Sequence, residues 1–217
     1  MSLGKSLYRT ATRAAEPFLG IWLRQRAKAG KEQANRLNER FARAGVDITP
    51  ARLVWMHGAS IGETRILLEV ARELCARDPS LHVLMTSQTV TSAELIERFL
   101  DTHPDLKAVT RHQFAPADTP AIAERFMDQW QPCLCVFAEG EIWPNLIGEA
   151  SNRSIPLALI NARMTQKSLK GWARWPGFSR DVFSHFDLLL AADRQTAEGL
   201  SRLSGKSVAS PGNLKSA

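Results

Sequence analysis

The sequence predicts a doubly wound α/β domain, a parallel sheet covered by helices on both faces, preceded by a basic helical extension. Three observations carry this. From residue 52 onward, short apolar runs alternate with amphipathic helical stretches about six times. The apolar runs are continuous rather than alternating, as strands buried on both faces require. The unusual polar residues gather just after these runs, at the strand ends where parallel sheets hold ligands.

The extension comes first. Residues 1–44 hold ten Lys/Arg and three Glu, a net of +7, whereas the rest of the chain holds 18 basic and 19 acidic residues, a net of −1. Leu3, Leu7, Phe18, Leu19, Ile21, Trp22 and Leu23 lie among Arg9, Arg13, Arg24, Arg26, Lys28 and Lys31. No apolar run reaches the roughly 20 residues that span a bilayer, and a signal-peptide pattern is missing. A basic amphipathic segment of this kind suits an anionic membrane surface, where each Lys/Arg contributes about 1 kcal/mol. The alternative is a solvated helix packed on the domain. Nucleic acid is not expected as a partner, because the basic residues carry no series of stacking aromatics and the body is near neutral.

The expected strands are 52–57, 81–86, 107–114, 133–138, 156–161 and 186–191, with a further candidate at 206–210. Helical patterns fill the intervals at 63–77, 92–103, 119–130, 144–153, 166–183 and 194–204. Cys133 and Cys135 alternate within one run and are expected on the same side of a buried strand. Three cysteines without a CxxC pair suggest free thiols in a reducing compartment.

Five strand ends then carry polar groups toward one rim: His57 to Glu63, Thr86 to Thr91, His112 to Asp118, Glu139-Gly140-Glu141, and Asn161-Ala162-Arg163. Glu63, Glu139 and Glu141 bring carboxylates to that rim, the equipment for taking a proton from a hydroxyl nucleophile or stabilising positive charge at a sugar carbon. Glu63 alone would also suit a first-turn carboxylate favoured by the helix dipole. Ser60 is expected to cap the following helix, with Gly62 allowing close approach of a ligand. Gly58-Ala59-Ser60-Ile61-Gly62 also matches the nucleophile elbow of serine hydrolases, which would make Ser60 an esterase nucleophile, but no later His has an evident Asp partner. Arg163, Lys167 and Lys170 suit either phosphate contact or a solvated helix face. Dinucleotide and P-loop glycine patterns are missing, as is metal-ligand spacing.

Taken together, the motifs WMHGASIGET (55–64), MTSQTVTSAELIERF (85–99), HQFAPADTPAIAERFMDQWQP (112–132), FAEGEIWPNLI (137–147), IPLALINARMTQKS (155–168) and SPGNLK (210–215) resemble, in order, the N-terminal half of the 3-deoxy-D-manno-octulosonate (Kdo) transferases, glycosyltransferase family 30. The resemblance implies a GT-B enzyme: a Rossmann-like N-terminal domain that binds a lipid A precursor (lipid IVA), facing a C-terminal domain that binds the donor CMP-Kdo. It further implies inverting, metal-independent transfer in lipopolysaccharide biosynthesis at the cytoplasmic face of the bacterial inner membrane. By motif, Glu63 resembles the general base and Glu139 the second acidic residue needed for activity. Ser60, Gly62, Glu141 and Arg163 are expected to bind substrate or support the site, with Glu141 reaching Arg163 or backbone. Ser92, Met164-Thr165 and Ser216-Ala217 depart from the family pattern. Residues 45–217 are expected to form the acceptor domain, to end at the interdomain junction, and to be inactive without the donor domain. The other expectations are a stand-alone module binding an anionic glycolipid, or the esterase.

Overall fold

The structure, a computed structural model, describes residues 2–43 and 52–214. The expected boundary between extension and domain, at residues 44 and 45, lies outside the described residues. Strands β1 (Leu53–Gly58), β2 (His82–Ser87), β3 (Thr110–Phe114), β4 (Leu134–Ala138), β5 (Leu157–Ala162) and β6 (Leu188–Ala191) form one sheet. Their order is β3-β2-β1-β4-β5-β6, and every pairing is parallel. The Rossmann-like, doubly wound parallel sheet expected from the sequence is therefore present.

The continuous apolar runs follow from this burial. Along β1, Leu53 and Trp55 face one core while Val54 and Met56 face the other. The second core is closed by α3 (Ile61–Arg77), α4 (Val90–Asp101) and α5 (Pro104–Val109), which contribute Leu67, Ile96 and Leu106. The first is closed by α6 (Pro120–Trp130), α7 (Pro144–Asn152), α8 (Gln166–Ala173), α9 (Pro176–Phe183) and α10 (Arg194–Ser204), through Phe126, Ile147, Leu169, Phe183 and Leu200 among others.

Three local expectations are corrected. The third strand begins at Thr110, not 107, because Pro104 occupies the first position of α5, where its fixed φ suits a helix and its missing N–H costs nothing. Residues 206–210 make only an isolated parallel bridge, Leu190 to Ala209. Cys133 lies before β4 and is exposed while Cys135 is buried, so the two do not share a buried side.

The extension forms α1 (Leu3–Lys28), which runs through Pro17 and is capped by Ser2. One face is bound to the body. Tyr8 donates to Asp118 Oδ2 at 2.8 Å, Asn145 to Thr12 at 3.1 Å, and Thr119 to Glu16 at 2.6 Å. Gly4 is required by close packing, since a Cβ there would meet Phe178 Cβ at 2.7 Å. After α1 the chain folds back through α2 (Leu37–Arg40), where buried Arg40 joins the ends of β2 and β3 by donating to Gln88 O and Ala115 O and is paired with buried Glu32.

Candidate active site

In the strand order, β1 is where the winding reverses, with β2 on one side and β4 on the other. Loops leaving the carboxyl ends of β1 and β4 diverge there, which opens the crevice that open α/β sheets use for ligands. The sequence places the Glu63 loop on one side of this crevice and the Glu139–Glu141 loop on the other.

The β1–α3 loop is built around a tight turn. A Cβ at Gly58 would lie 3.0 Å from both Glu63 Cβ and Leu67 Cδ1, so any larger residue would have to push the start of α3 outward by a few tenths of an ångström. Ser60 is the N-cap, with Oγ accepting from the Glu63 N–H at 3.3 Å. The Glu63 side chain reaches back: Oε2 accepts from the Ala59 N–H at 2.7 Å and Oε1 from the Ser60 hydroxyl at 2.8 Å. This is a variant of the capping box in which the carboxylate takes the N–H of the residue before the cap and the cap hydroxyl, and complements the positive helix end. Gly62 occupies the first turn of α3. Ser60 Oγ is engaged only within this box among the described residues, so the hydroxyl lacks the imidazole partner an esterase nucleophile requires.

Glu139 and Asn161, at the ends of β4 and β5, both take left-handed backbone conformations, and Asn161 Nδ2 donates to Glu139 Oε1 at 3.4 Å. Asn161 Oδ1 also accepts from the Leu214 N–H at 2.9 Å, which returns the end of the described chain to the rim. Arg163 is exposed, and its backbone N–H meets Glu139 O at 3.4 Å.

Glu141 has partners the sequence reading did not anticipate. Its Oε2 accepts from His57 Nε2 at 3.0 Å and from Trp143 Nε1 at 2.9 Å, while Arg163 meets this loop through backbone at Glu139 instead. Burial pushes the Glu141 carboxyl up, but the hydrogen bonds from His57 and Trp143 outweigh it and hold the group below the ordinary carboxylate range. His57 is itself buried, with Nδ1 2.8 Å from Thr86 Oγ1, and that hydroxyl accepts from Trp55 Nε1 at 2.9 Å. The sequence contained one signal for this: a polar His and Thr at the final positions of two apolar runs that prove to be neighbours in the sheet, His57 opposite Thr86.

A second polar cluster shapes the far side of the rim. Asp118 caps α7 from a distance, accepting from the N–H groups of Asn145 and Leu146 at 3.1 and 2.8 Å, because the helix's own N-cap Trp143 supplies no side-chain acceptor. Beside Trp143 lies a cavity of about 330 Å³ between α1 and the ends of β2 and β3, lined by Leu19, Trp22, Leu23 and Pro116 among others.

Residues 35–217 match the family described as 3-deoxy-D-manno-octulosonic-acid transferase (kdotransferase). A probable mitochondrial 3-deoxy-D-manno-octulosonic acid transferase of Arabidopsis thaliana is 38% identical over 167 residues, 77% of this chain and 36% of that protein. A 3-deoxy-D-manno-octulosonic acid transferase of Bordetella pertussis is 32% identical over 98% of this chain and 50% of its own length, and one of Rickettsia bellii is 31% identical over 86% and 43%. The chain thus spans half or less of the length of these relatives. Among solved structures, the UDP-GlcNAc 2-epimerase of Neisseria meningitidis aligns with 75% of this chain and 47% of its own at a TM-score of 0.49 and 14% identity.

Proposed function

This chain belongs to the 3-deoxy-D-manno-octulosonic-acid transferase family, and from that premise we propose that it is the acceptor-binding half of a GT-B glycosyltransferase that moves Kdo from CMP-Kdo to a lipid A precursor. The observation that carries the site assignment is the placement of two carboxylate loops on either side of the sheet's switch point. In the proposed reaction Glu63 takes the proton of an acceptor hydroxyl. The acceptor oxygen then bonds to the anomeric carbon, and the bond from that carbon to CMP breaks with its electron pair leaving on the phosphate, inverting the centre. Glu139 stands by as an electrostatic or orienting group. No metal ion takes part in this scheme. Gly62 and Ser60 shape the helix start, and Arg163 contacts substrate phosphate.

The acceptor is a lipid, and two features support that assignment. The outer face of α1 exposes Leu3, Leu7, Phe18, Ile21 and Trp22 beside Arg13, Arg24 and Lys28, which suits an anionic membrane surface, here the cytoplasmic face of the inner membrane. The cavity beside Trp143 offers apolar walls next to the rim, while its charged lining groups are engaged: Glu32 pairs with both Arg26 and Arg40, and Asp118 accepts from Tyr8 and the first N–H groups of α7. Among the described residues no helix is long and apolar enough to cross a membrane.

The test is transfer itself. The chain joined to a C-terminal donor-binding domain should convert lipid IVA and CMP-Kdo into a Kdo-bearing lipid seen by mass spectrometry. A product-free reaction with intact, folded protein would overturn the reading.

A further inference from the structure

We infer that Glu141 presents its Oε1 oxygen to a hydroxyl of the acceptor sugar, and that His57 is the positioning residue that holds it there. The inference rests on the transferase reading and goes past it by giving the contact to one oxygen of Glu141 and by assigning His57, which the motif leaves without a role.

The carboxylate oxygens at the switch point differ in how fully they are committed. Both oxygens of Glu63 accept hydrogen bonds within its own helix cap. Glu141 divides its two oxygens differently. Oε2 takes two donors from different directions, His57 Nε2 and Trp143 Nε1, whereas Oε1 has no hydrogen-bond partner among the described residues. The side chain is 17% exposed, so the committed oxygen lies inward and the uncommitted one can meet solvent or ligand. A carboxylate fixed by two donors on one oxygen has lost most of its rotational freedom, and the other oxygen is then a preorganised acceptor for a hydroxyl.

His57 is in turn fixed from beneath. It is 2% exposed and Thr86 is 1% exposed. The Thr86 hydroxyl oxygen accepts from Trp55 Nε1–H and its own hydrogen has two possible acceptors, Met56 O at 3.4 Å and His57 Nδ1 at 2.8 Å. An ionised carboxylate can only accept, so Nε2 carries the ring proton aimed at Glu141, and in the neutral ring Nδ1 is then the acceptor for the Thr86 hydroxyl. Burying a Trp N–H, a Thr hydroxyl and an imidazole is costly unless each is paired, and here the pairing runs without a break from the core to the rim. Carboxylate recognition of a hydroxyl needs such a rigid mount, because misplacement by about 1 Å can cost on the order of 100-fold in rate.

A merely structural clasp between β1 and the β4–α7 loop would affect stability alone. In the full-length transferase, Glu141→Gln and His57→Leu should each lower kcat/KM for the acceptor about 10- to 100-fold, the range a charge-assisted hydrogen bond supplies, with KM for CMP-Kdo unchanged. His57→Gln, which can still donate toward Glu141, should restore part of that loss. Nitrogen NMR of the present chain should show His57 protonated on Nε2, with that signal shifted in Glu141→Gln. Acceptor kinetics equal to wild type in both Glu141→Gln and His57→Leu would overturn the inference, as would an Nδ1-protonated ring. If the unmodified transferase forms no product, the transferase reading fails and takes this one with it. Turnover by wild type with unaltered variants removes this inference alone.

Discussion

Glu139 and Asn161 stand at the carboxyl ends of neighbouring strands, both in the left-handed region at φ +53° and +48°, with the Asn161 amide donating to the Glu139 carboxylate. Asn tolerates that conformation through its short polar side chain, whereas Glu pays roughly 1–2 kcal/mol for it. The bend it allows turns the chain straight off β4 into Gly140 and Glu141. Glu139→Gly should therefore unfold at a higher temperature than Glu139→Ala, by about 2–4 °C for each kcal/mol of strain relieved in a chain of this size. Calorimetry that ranks Ala at or above Gly would show that the backbone is unstrained there. Both variants should lose transfer activity if the carboxylate acts in the site.

Glu63 has a structural and a proposed catalytic task, and the two separate by mutation. Ser60→Ala removes the cap on the Glu63 N–H and the hydroxyl that donates to Oε1, at a cost of about 1 kcal/mol in denaturant unfolding. Glu63→Gln keeps one oxygen acceptor in the box and should cost less stability. In activity the order reverses: Ser60→Ala should retain most of the transfer rate, and Glu63→Gln should lose about 100-fold or more. Equal turnover in Glu63→Gln and wild type would leave Glu63 as a capping residue only.

What could be read from the sequence follows a physical division. The strands were legible because two-sided burial forces continuous apolar runs such as that from Leu53 to Met56, and the rim was legible because polar groups following such runs have few other places to go. The His57–Glu141 bond was not legible, since its partners are 84 residues apart and meet only once β1 and β4 are known to be neighbours. Arg40 was hidden for the same reason, its acceptors Gln88 and Ala115 lying on two other loops. In each case a polar group was visible and its pairing was a property of topology. The start of β3 failed differently, because the apolar content of 107–114 suits either state and the preceding Pro104 decides for a helix.

His112 gives the fold an acid-side weakness. Burial, then the charges of Arg36 and Arg40, push its imidazole down from 6.5 to about 3. A folded pKa below the unfolded one means that the neutral ring contributes stability above pH 6.5, and that this contribution is lost as pH falls toward 3, where the unfolded chain binds a proton that the native ring refuses. The slope is at most about 1.4 kcal/mol per pH unit. Urea midpoints at pH 7.0 and 4.5 should therefore differ more for wild type than for His112→Gln. Parallel losses in the two proteins would assign the acid sensitivity to other groups.

The outer face of α1 is apolar and exposed. Residues 3, 7, 18, 21 and 22 fall on one side at 3.6 residues per turn, and all five are more than half exposed. The bound side, carrying Tyr8, Thr12, Glu16 and Leu23, is a different one, so charges placed outside leave the docking contacts in place. A solvated helix has no use for a Trp and a Phe exposed side by side with Ile, whereas a membrane surface does, and the flanking Arg24 and Lys28 would meet anionic headgroups. Replacing Phe18, Ile21 and Trp22 together by Glu should reduce sedimentation with phosphatidylglycerol vesicles by about 100-fold or more in partition coefficient, from lost apolar burial and added repulsion. Circular dichroism should be unchanged, and the melting temperature should fall only slightly, since Trp22 alone of the three also walls the cavity under α1. Arg24→Ala with Lys28→Ala should weaken binding to anionic vesicles and leave the weaker binding to phosphatidylcholine as it was. A triple variant that still sediments like wild type would mean that some other surface, or none, meets the lipid.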